Sequence, residues 1–389
     1  ENEESYIYRI CSNKDIIGSW DDVAEIINDE LGYSYTESKY RKQYQAFQKM
    51  FNGNQDKFAT SDDSTNEIQS QIRELQKERY KLQTEKLENN RWLRENARDE
   101  LILEKILAAI NDLSPLSIPD VLPVVHNSKE FCLAFGDEHF GTEFEIRGLH
   151  NEILNAYSPE IFESRMWDLL NQVVEIIQKE NITKLNVFSM GDFSDGLLRV
   201  RQLIKLRYGV IEGSVKYAEF ICNWLNKLSE YVNIEYQMVA GNHTELRMLG
   251  QPKGTFKDDN TMLFVREAIK ERLKSNPNFH MTINPTGLIY STLCNFNLLG
   301  IHGEVKNMET ALKDFSNTYQ TSIDILIGGH LHHNKTESVG VNKDTINVPS
   351  IIGIDDYSMS LNKTSNAGAT LFIIENGKGK VQEYNIKLN

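Results

Sequence analysis

Carboxylate and imidazole side chains recur in this chain beside glycine, at spacings that could hold a metal ion. The central case is Met190-Gly191-Asp192-Phe193-Ser194-Asp195-Gly196. It follows Leu185-Asn186-Val187-Phe188, an apolar run that reads as a buried strand. A carboxylate at such a strand end projects into the crevice where open α/β sheets bind ligands. Gly191 lets the backbone turn sharply there, so Asp192 can point at a metal ion.

Four further stretches repeat the plan. Phe131 to Phe135 runs into Gly136-Asp137-Glu138-His139, and Tyr236 to Ala240 runs into Gly241-Asn242-His243. Phe296 to Gly300 runs into Ile301-His302-Gly303, and Ile323 to Ile327 runs into Gly328-Gly329-His330-Leu331-His332-His333. Any one of these is commonplace. Five in order, each at a strand end, are not an accident.

The ordered set resembles the calcineurin-like metallophosphoesterase superfamily, whose signature is Asp-x-His, Gly-Asp, Gly-Asn-His, a lone His and Gly-His-x-His. The resemblance covers residues 128 to 389. It implies an α/β fold of two facing β-sheets flanked by helices. It also implies phosphoester hydrolysis by two divalent ions ~3.5–4 Å apart, which lower the pKa of a bound water and clamp the phosphate. By the same resemblance Asp192 bridges the ions. Asp137, His139 and His332 complete the first site, and Asn242, His302 and His330 the second. Such mixed ligands suit Mn²⁺, Fe or Zn²⁺ better than Mg²⁺ or Ca²⁺, and Mn²⁺ is favoured here. His243 corresponds to the family histidine that protonates the leaving oxygen or stabilises the transition state. Asp195 matches its orienting carboxylate, with Glu245 a second candidate. The family often has an acid directly after Gly-Asn-His, where this chain has Thr244. It also lacks the Arg that serine/threonine protein phosphatases carry straight after the Gly-Asp stretch, since Leu197 follows Gly196. His126, His150 and His280 read as ordinary polar groups, and Asp355-Asp356-Tyr357 as a plain surface loop in preference to a substrate-contacting one.

Helices must separate these strands. Amphipathic stretches predict them over Pro159 to Lys179, Val200 to Tyr231, Thr261 to Leu273 and Met308 to Tyr319. Strand-like runs then follow at Thr345 to Val348, Thr370 to Ile374 and Val381 to Ile386. The metallophosphoesterase domain thus spans 125–389.

Ahead of it, residues 1–52 read as a helical, helix-turn-helix-like module, with a small helical packing module the equal alternative. Ser19 caps a helix from Trp20 to Leu31 that Gly32 ends, and Thr36 begins a second running to about Met50. Lys39, Arg41, Lys42 and Lys49 on the second are candidate DNA contacts. Residues 53–66 read as a polar linker. Residues 67–111 hold no Gly or Pro from Glu67 to Ile110 and predict one long helix. Ile68, Ile72, Leu75 and Leu82 on it fit a heptad seam, so a coiled-coil homodimer is one reading. A single helix docked through Leu101, Leu103, Ile106, Leu107 and Ile110 is the other. Pro115, Pro119 and Pro123 stiffen the approach to the first strand.

A net charge of −14 excludes a wholly basic nucleic-acid binder but not a local basic patch. Four scattered cysteines read as reduced thiols, which with the acidic Glu1-Asn2-Glu3-Glu4 start points to the cytoplasm and no membrane partner. A metallophosphoesterase behind a long helix and a helical head resembles phage- or prophage-encoded members of the superfamily. More loosely it resembles double-strand-break repair nucleases. The expected function is therefore a metal-dependent phosphodiesterase acting on DNA. The alternatives are a nucleotide phosphodiesterase or phosphatase, and a DNA-binding or scaffolding protein with a vestigial metal site.

Overall fold

In the computed structural model the chain forms two compact units, Glu1–Ala97 and Arg98–Asn389. The structure describes residues 1–55, 73–82, 84–86, 104, 108, 110, 112–125, 128–195, 205–245 and 260–388.

The first unit opens with four helices: α1 (Glu3–Ser12), α2 (Lys14–Ile17), α3 (Trp20–Leu31) and α4 (Glu37–Gly53). Ser19 and Asp22 cap α3 reciprocally, and Gly32 ends it in the left-handed conformation at φ 68. Ile7, Cys11, Val23, Ala24, Ile27 and Tyr40 form the core. The sequence reading placed α3 and α4 but gave no helix to residues 3–17. The signal was present, because Asn2 caps α1 and Ile7 and Cys11 repeat at the helical spacing. Residues 73–82 are helical, with Leu75 and Leu82 exposed. Ile68, Ile72, Leu101, Leu103, Ile106 and Leu107 lie outside the described residues, as does most of the expected linker. Ile110 belongs to the second unit, buried in its main core.

The second unit runs β1 (Lys129–Phe135), β2 (Phe144–Arg147), β3 (Ile153–Tyr157), α5 (Pro159–Glu180), β4 (Lys184–Ser189), α6 (Val210–Leu228), β5 (Asn233–Met238), α7 (Thr261–Arg272) and β6 (Phe279–Met281). It continues with β7 (Ile289–Leu293), β8 (Phe296–Ile301), α8 (Met308–Tyr319), β9 (Ile325–Gly328), β10 (Lys335–Gly340), β11 (Lys343–Asn347), α9 (Asp356–Ser360), β12 (Gly368–Glu375) and β13 (Gly379–Lys387). One sheet has the order β13-β12-β1-β4-β5-β6, the other β10-β11-β9-β8-β7, and β2 pairs with β3.

The two-residue period of a strand decides the layering. Phe131, Leu133 and Phe135 of β1 pack with Phe162, Met166 and Leu169 of α5 and with Trp224 of α6. Cys132 and Ala134, the alternate residues, join Phe188, Leu298, Ile325, Ile327 and Ile346 between the two sheets. On the far face of the second sheet, Leu299, Ile301 and Leu326 meet Met308, Ala311 and Leu312 of α8. This is the expected α/β arrangement of two facing sheets with helices outside.

One helix is shorter than expected. Of the stretch from Val200 to Tyr231, residues 200–204 lie outside the described residues, and α6 begins only at Val210. The intervening backbone is committed elsewhere. Glu143 N donates to Lys205 O (2.9 Å) and Arg207 N to Gly141 O (2.8 Å), a bridge that excludes helical bonding there. All four cysteines are free thiols. Among the described residues, no helix is long and apolar enough to cross a membrane.

Candidate metal centre

The ends of β1, β4, β5, β8 and β9 converge because their loops bond to one another. Asp137 N donates to Gly191 O (3.0 Å), and His139 N to Asp192 O (3.0 Å). His243 N donates to Asp192 Oδ1 (2.7 Å) and His330 N to Asp137 Oδ2 (2.7 Å). His302 Nδ1 meets Met190 O at 2.8 Å. The loops approach so closely that a Cβ on Gly241 would overlap the Asp192 carboxylate.

The backbone is held in a costly state at this point. Asp137, His139, Asp192, His330 and His332 all have φ between 44 and 65, a region that L residues rarely adopt. Each such residue costs on the order of 1–3 kcal/mol and persists only where its surroundings fix it. Together they turn five side chains into one buried cleft.

Asp137, His139 and His332 lie close enough to share an ion, as do Asp192, His302 and His330. His139 Nε2 and His332 Nε2 are 3.3 Å apart, and His302 Nε2 is 2.8 Å from Asp192 Oδ2. Asp137 Oδ1 is buried without a hydrogen-bond partner. Asn242 Oδ1 faces His302 Nε2 and His330 Nδ1 at 3.1 Å and the carboxylate oxygens of Asp192 and Glu304 at 3.3 Å. An amide oxygen against two carboxylates is repulsive unless the amide turns over or a cation lies among them. A donor set of imidazole, carboxylate and amide around an orphaned carboxylate oxygen fits a borderline divalent cation.

A third group, His139, Asp195 and His243, adjoins these two. Asp195 Oδ1 accepts from both imidazoles, from His139 Nδ1 at 2.8 Å and from His243 Nδ1 at a very short distance. Thr142 Oγ1 donates to its other oxygen (2.9 Å). Burial works against ionising Asp195, but the two histidines outweigh it and hold the carboxyl well below its usual range. For His243, burial is likewise outweighed, by the charge of Asp192 and the bond to Asp195, and its pKa rises to about 9. Burial lowers His330 to about 3, helped by the neighbouring charge of His302. Burial also raises Glu138 to about 8, although Tyr217 donates to it at 2.8 Å.

The structure thus brings Asp137, His139, Asp192, Asp195, Asn242, His243, His302, His330 and His332 together. Glu245, the second candidate for orienting His243, is buried, and its backbone bridges to Asn260. His280 pairs with Glu235 (2.7 Å) and His150 is exposed, both away from the cleft, while His126 lies outside the described residues. In the head, Lys39 Nζ sits 3.0 Å from the centre of the Tyr35 ring and Arg41 pairs with Glu37 at 3.6 Å. Lys42 and Lys49 are exposed on α4. One expectation is corrected. The segment Asp355-Asp356-Tyr357 is no plain surface loop, because Asp355 Oδ1 lies 3.3 Å from His332 Nδ1 and the Tyr357 hydroxyl 3.2 Å from His330 Nε2. Nothing local in the sequence marks this, since the contact is made by the fold 22 residues beyond the last block's His333.

The order of these blocks at five strand ends of two facing sheets is the arrangement that the resemblance to the calcineurin-like metallophosphoesterases implies. Residues 1–59 match the YonJ N-terminal domain and residues 71–113 the YonJ coiled-coil domain. The whole chain aligns with the SPbeta prophage-derived protein YonJ of Bacillus subtilis (strain 168), at 34% identity over 399 residues and 97% of that protein. Among solved structures, an archaeal phosphodiesterase matches at TM-score 0.33 and 15% identity, over 66% of this chain and 99% of that one. A dimetal phosphatase from Danio rerio matches at TM-score 0.35 and 11% identity, over 67% and 99%. Zinc-bound Vps29 from Entamoeba histolytica matches at TM-score 0.28 and 15% identity, again over 67% and 99%.

Proposed function

The chain belongs to the YonJ family, and we propose that its second unit is a dinuclear metal-dependent phosphodiesterase acting on DNA. The observation that carries this reading is the convergence of two carboxylates, four imidazoles and an amide on one buried cleft with an orphaned Asp137 oxygen. Two divalent ions, Mn²⁺ in preference to Fe or Zn²⁺, would supply an activated water and neutralise the phosphoryl oxygens. Asp137, His139 and His332 would hold one ion, and Asn242, His302 and His330 the other. Asp192 lies between the groups, joined to His302 and to the His243 backbone. Asp195 orients His243 through Nδ1, so Nε2 is the atom that can hand a proton to a leaving oxygen.

DNA is favoured by the pairing of this site with a helical head and a coiled-coil segment. The head is the part that can be tested directly. Deleting residues 1–60 should weaken DNA binding and flatten its salt dependence, since each phosphate neutralised contributes a log–log slope of ~0.9. Hydrolysis of a small chromogenic diester should persist, because all nine site residues lie in the second unit. A truncated protein that binds and cuts DNA like the full chain removes the head as a DNA reader. One observation favours a nucleotide substrate instead: Lys39 and Arg41 already have partners within the head. If both forms cleave the small diester with Mn²⁺ and neither binds or cuts any nucleic acid, that second reading stands. Cleavage of nothing at all leaves a scaffolding protein with a vestigial site.

The coiled-coil match extends the proposal to a homodimer. Leu75 and Leu82, 64% and 66% exposed, are apolar side chains on a helical segment with a seam to fill. Light scattering should give a dimer mass that falls to the monomer in the Leu75→Glu, Leu82→Glu double variant. A monomeric mass in both proteins removes the dimer.

A further inference from the structure

The imidazoles facing the metal centre share a pattern. A ligating histidine uses one ring nitrogen for the ion, and the other usually donates to a carboxylate, carbonyl or similar acceptor that fixes the ring. His139 turns Nε2 inward and gives Nδ1 to Asp195. His302 turns Nε2 towards Asp192 and gives Nδ1 to Met190 O. These two partners come from the β4 loop, next to the blocks read from sequence.

The last two histidines find their outer partners on a single turn. His332 has Nε2 3.3 Å from His139 Nε2, and its Nδ1 is 3.3 Å from Asp355 Oδ1. His330 has Nδ1 3.1 Å from the Asn242 amide oxygen, and its Nε2 is 3.2 Å from the Tyr357 hydroxyl. The Tyr357 ring packs beside both imidazoles, with centroids 5.6 Å from His330 and 5.5 Å from His332.

The turn is built to stay in place. Asp355 and Ser358 cap α9 reciprocally, Asp355 Oδ1 accepting from Ser358 N at 2.8 Å. Asp356 pairs with Lys205 at 2.7 Å, which ties the turn to the segment bridged with residues 141–143. Three consecutive side chains, Asp355, Asp356 and Tyr357, are thus each anchored to a different part of the cleft wall.

We propose that the Asp355–Tyr357 turn is the outer support of the metal centre, with Asp355 and Tyr357 as positioning residues that aim His332 and His330 at the ions. His332 Nδ1 faces the Asp355 carboxylate as an ion-pair contact, outside hydrogen-bond geometry, and His330 Nε2 shares a hydrogen bond with the Tyr357 hydroxyl. The inference rests on the dinuclear reading above and adds the residues that tune its affinity. It also separates the two sites, since Asp355 acts on the Asp137 group and Tyr357 on the Asp192 group.

The test uses the full chain and Mn²⁺ alone, titrated by calorimetry, with no substrate present. Asp355→Asn keeps an amide oxygen that caps α9 as well as a carboxylate does, so it removes charge without removing the cap. Tyr357→Phe keeps the ring and removes the hydroxyl. Loss of an outer partner typically costs 10–100-fold in metal affinity. We expect Asp355→Asn to weaken one of two Mn²⁺ sites by roughly that factor, and Tyr357→Phe to weaken the other by a smaller one, with the metal-free melting temperatures unchanged. Wild-type protein with two Mn²⁺ sites and both variants identical to it would overturn the proposal alone. Wild-type protein that takes up no Mn²⁺ would overturn the dinuclear reading, and the proposal with it.

Discussion

Asp192→Asn should lose its metal and its activity together. The substitution isolates charge from shape. Asp192 sits at φ 54, and Asn is among the few residues that accept that region readily. Its remaining oxygen can still accept from His243 N, which Asp192 Oδ1 does at 2.7 Å, so the junction of the β4 and β5 loops survives. What disappears is the anion whose second oxygen lies 2.8 Å from His302 Nε2. In the metal-free protein burial opposes ionising Asp192, but His302 and His243 outweigh it, so the group is a carboxylate over the whole neutral range. Replacing a buried anion with an amide removes the negative charge that the Asp192, His302 and His330 group would offer a cation. Metal ions commonly contribute several kcal/mol of transition-state stabilisation. At about 1.4 kcal/mol per tenfold, that corresponds to a fall in turnover on the order of 10³-fold. Elemental analysis of the dialysed variant should show the metal depleted. Full occupancy in Asp192→Asn would contradict the assignment.

This carboxylate is legible in the sequence because the signal that marks it is local. A strand buried on both faces is a mostly apolar run, and Leu185 to Phe188 reads as one despite Asn186, whose amide donates to Phe131 O at 3.0 Å. The residue just beyond it lies at the sheet edge by necessity, so the strand and the candidate ligand are read in one step. The same holds for Asp137, Asn242, His302 and His330. Edge elements carry no such signal. Strand β10, Lys335–Gly340, is polar and almost wholly exposed, and β6 has only three residues. Residues 205–207 read as helix because their bonding partners at 141–143 are more than sixty positions away. Asp195 illustrates the middle case. Its match to the family position marks it as a partner for His243, but its second bond, to His139, depends on the β1 loop lying beside it. Asp355 and Tyr357 are the far case, since their work is defined wholly by what the fold brings opposite them.

His243→Ala should keep both ions and lose most turnover on a poor leaving group. The geometry leaves two roles for His243, because it falls in a third group of ligand types with His139 and Asp195. Asp195 occupies the Nδ1 side of both rings, so one carboxylate orients His139 towards the metal side and His243 away from it. The rings stand nearly perpendicular, 87° apart with centroids 4.7 Å from each other. The bond from Asp195 favours the protonated form of His243, the form a general acid needs. An alkoxide leaving group needs that proton, and general acid help is worth ~10²–10⁴-fold. A nitrophenolate leaves without it, so a nitrophenyl diester should lose far less. The comparison needs both substrates on the same preparation, with metal content measured alongside. Lost metal would make His243 a ligand. Retained metal with equal losses on both substrates would leave it only the stabilisation of charge on the phosphoryl group. A loss concentrated on the poor leaving group identifies the proton, and makes Asp195 the residue that serves the metal side and the acid side of the reaction at once.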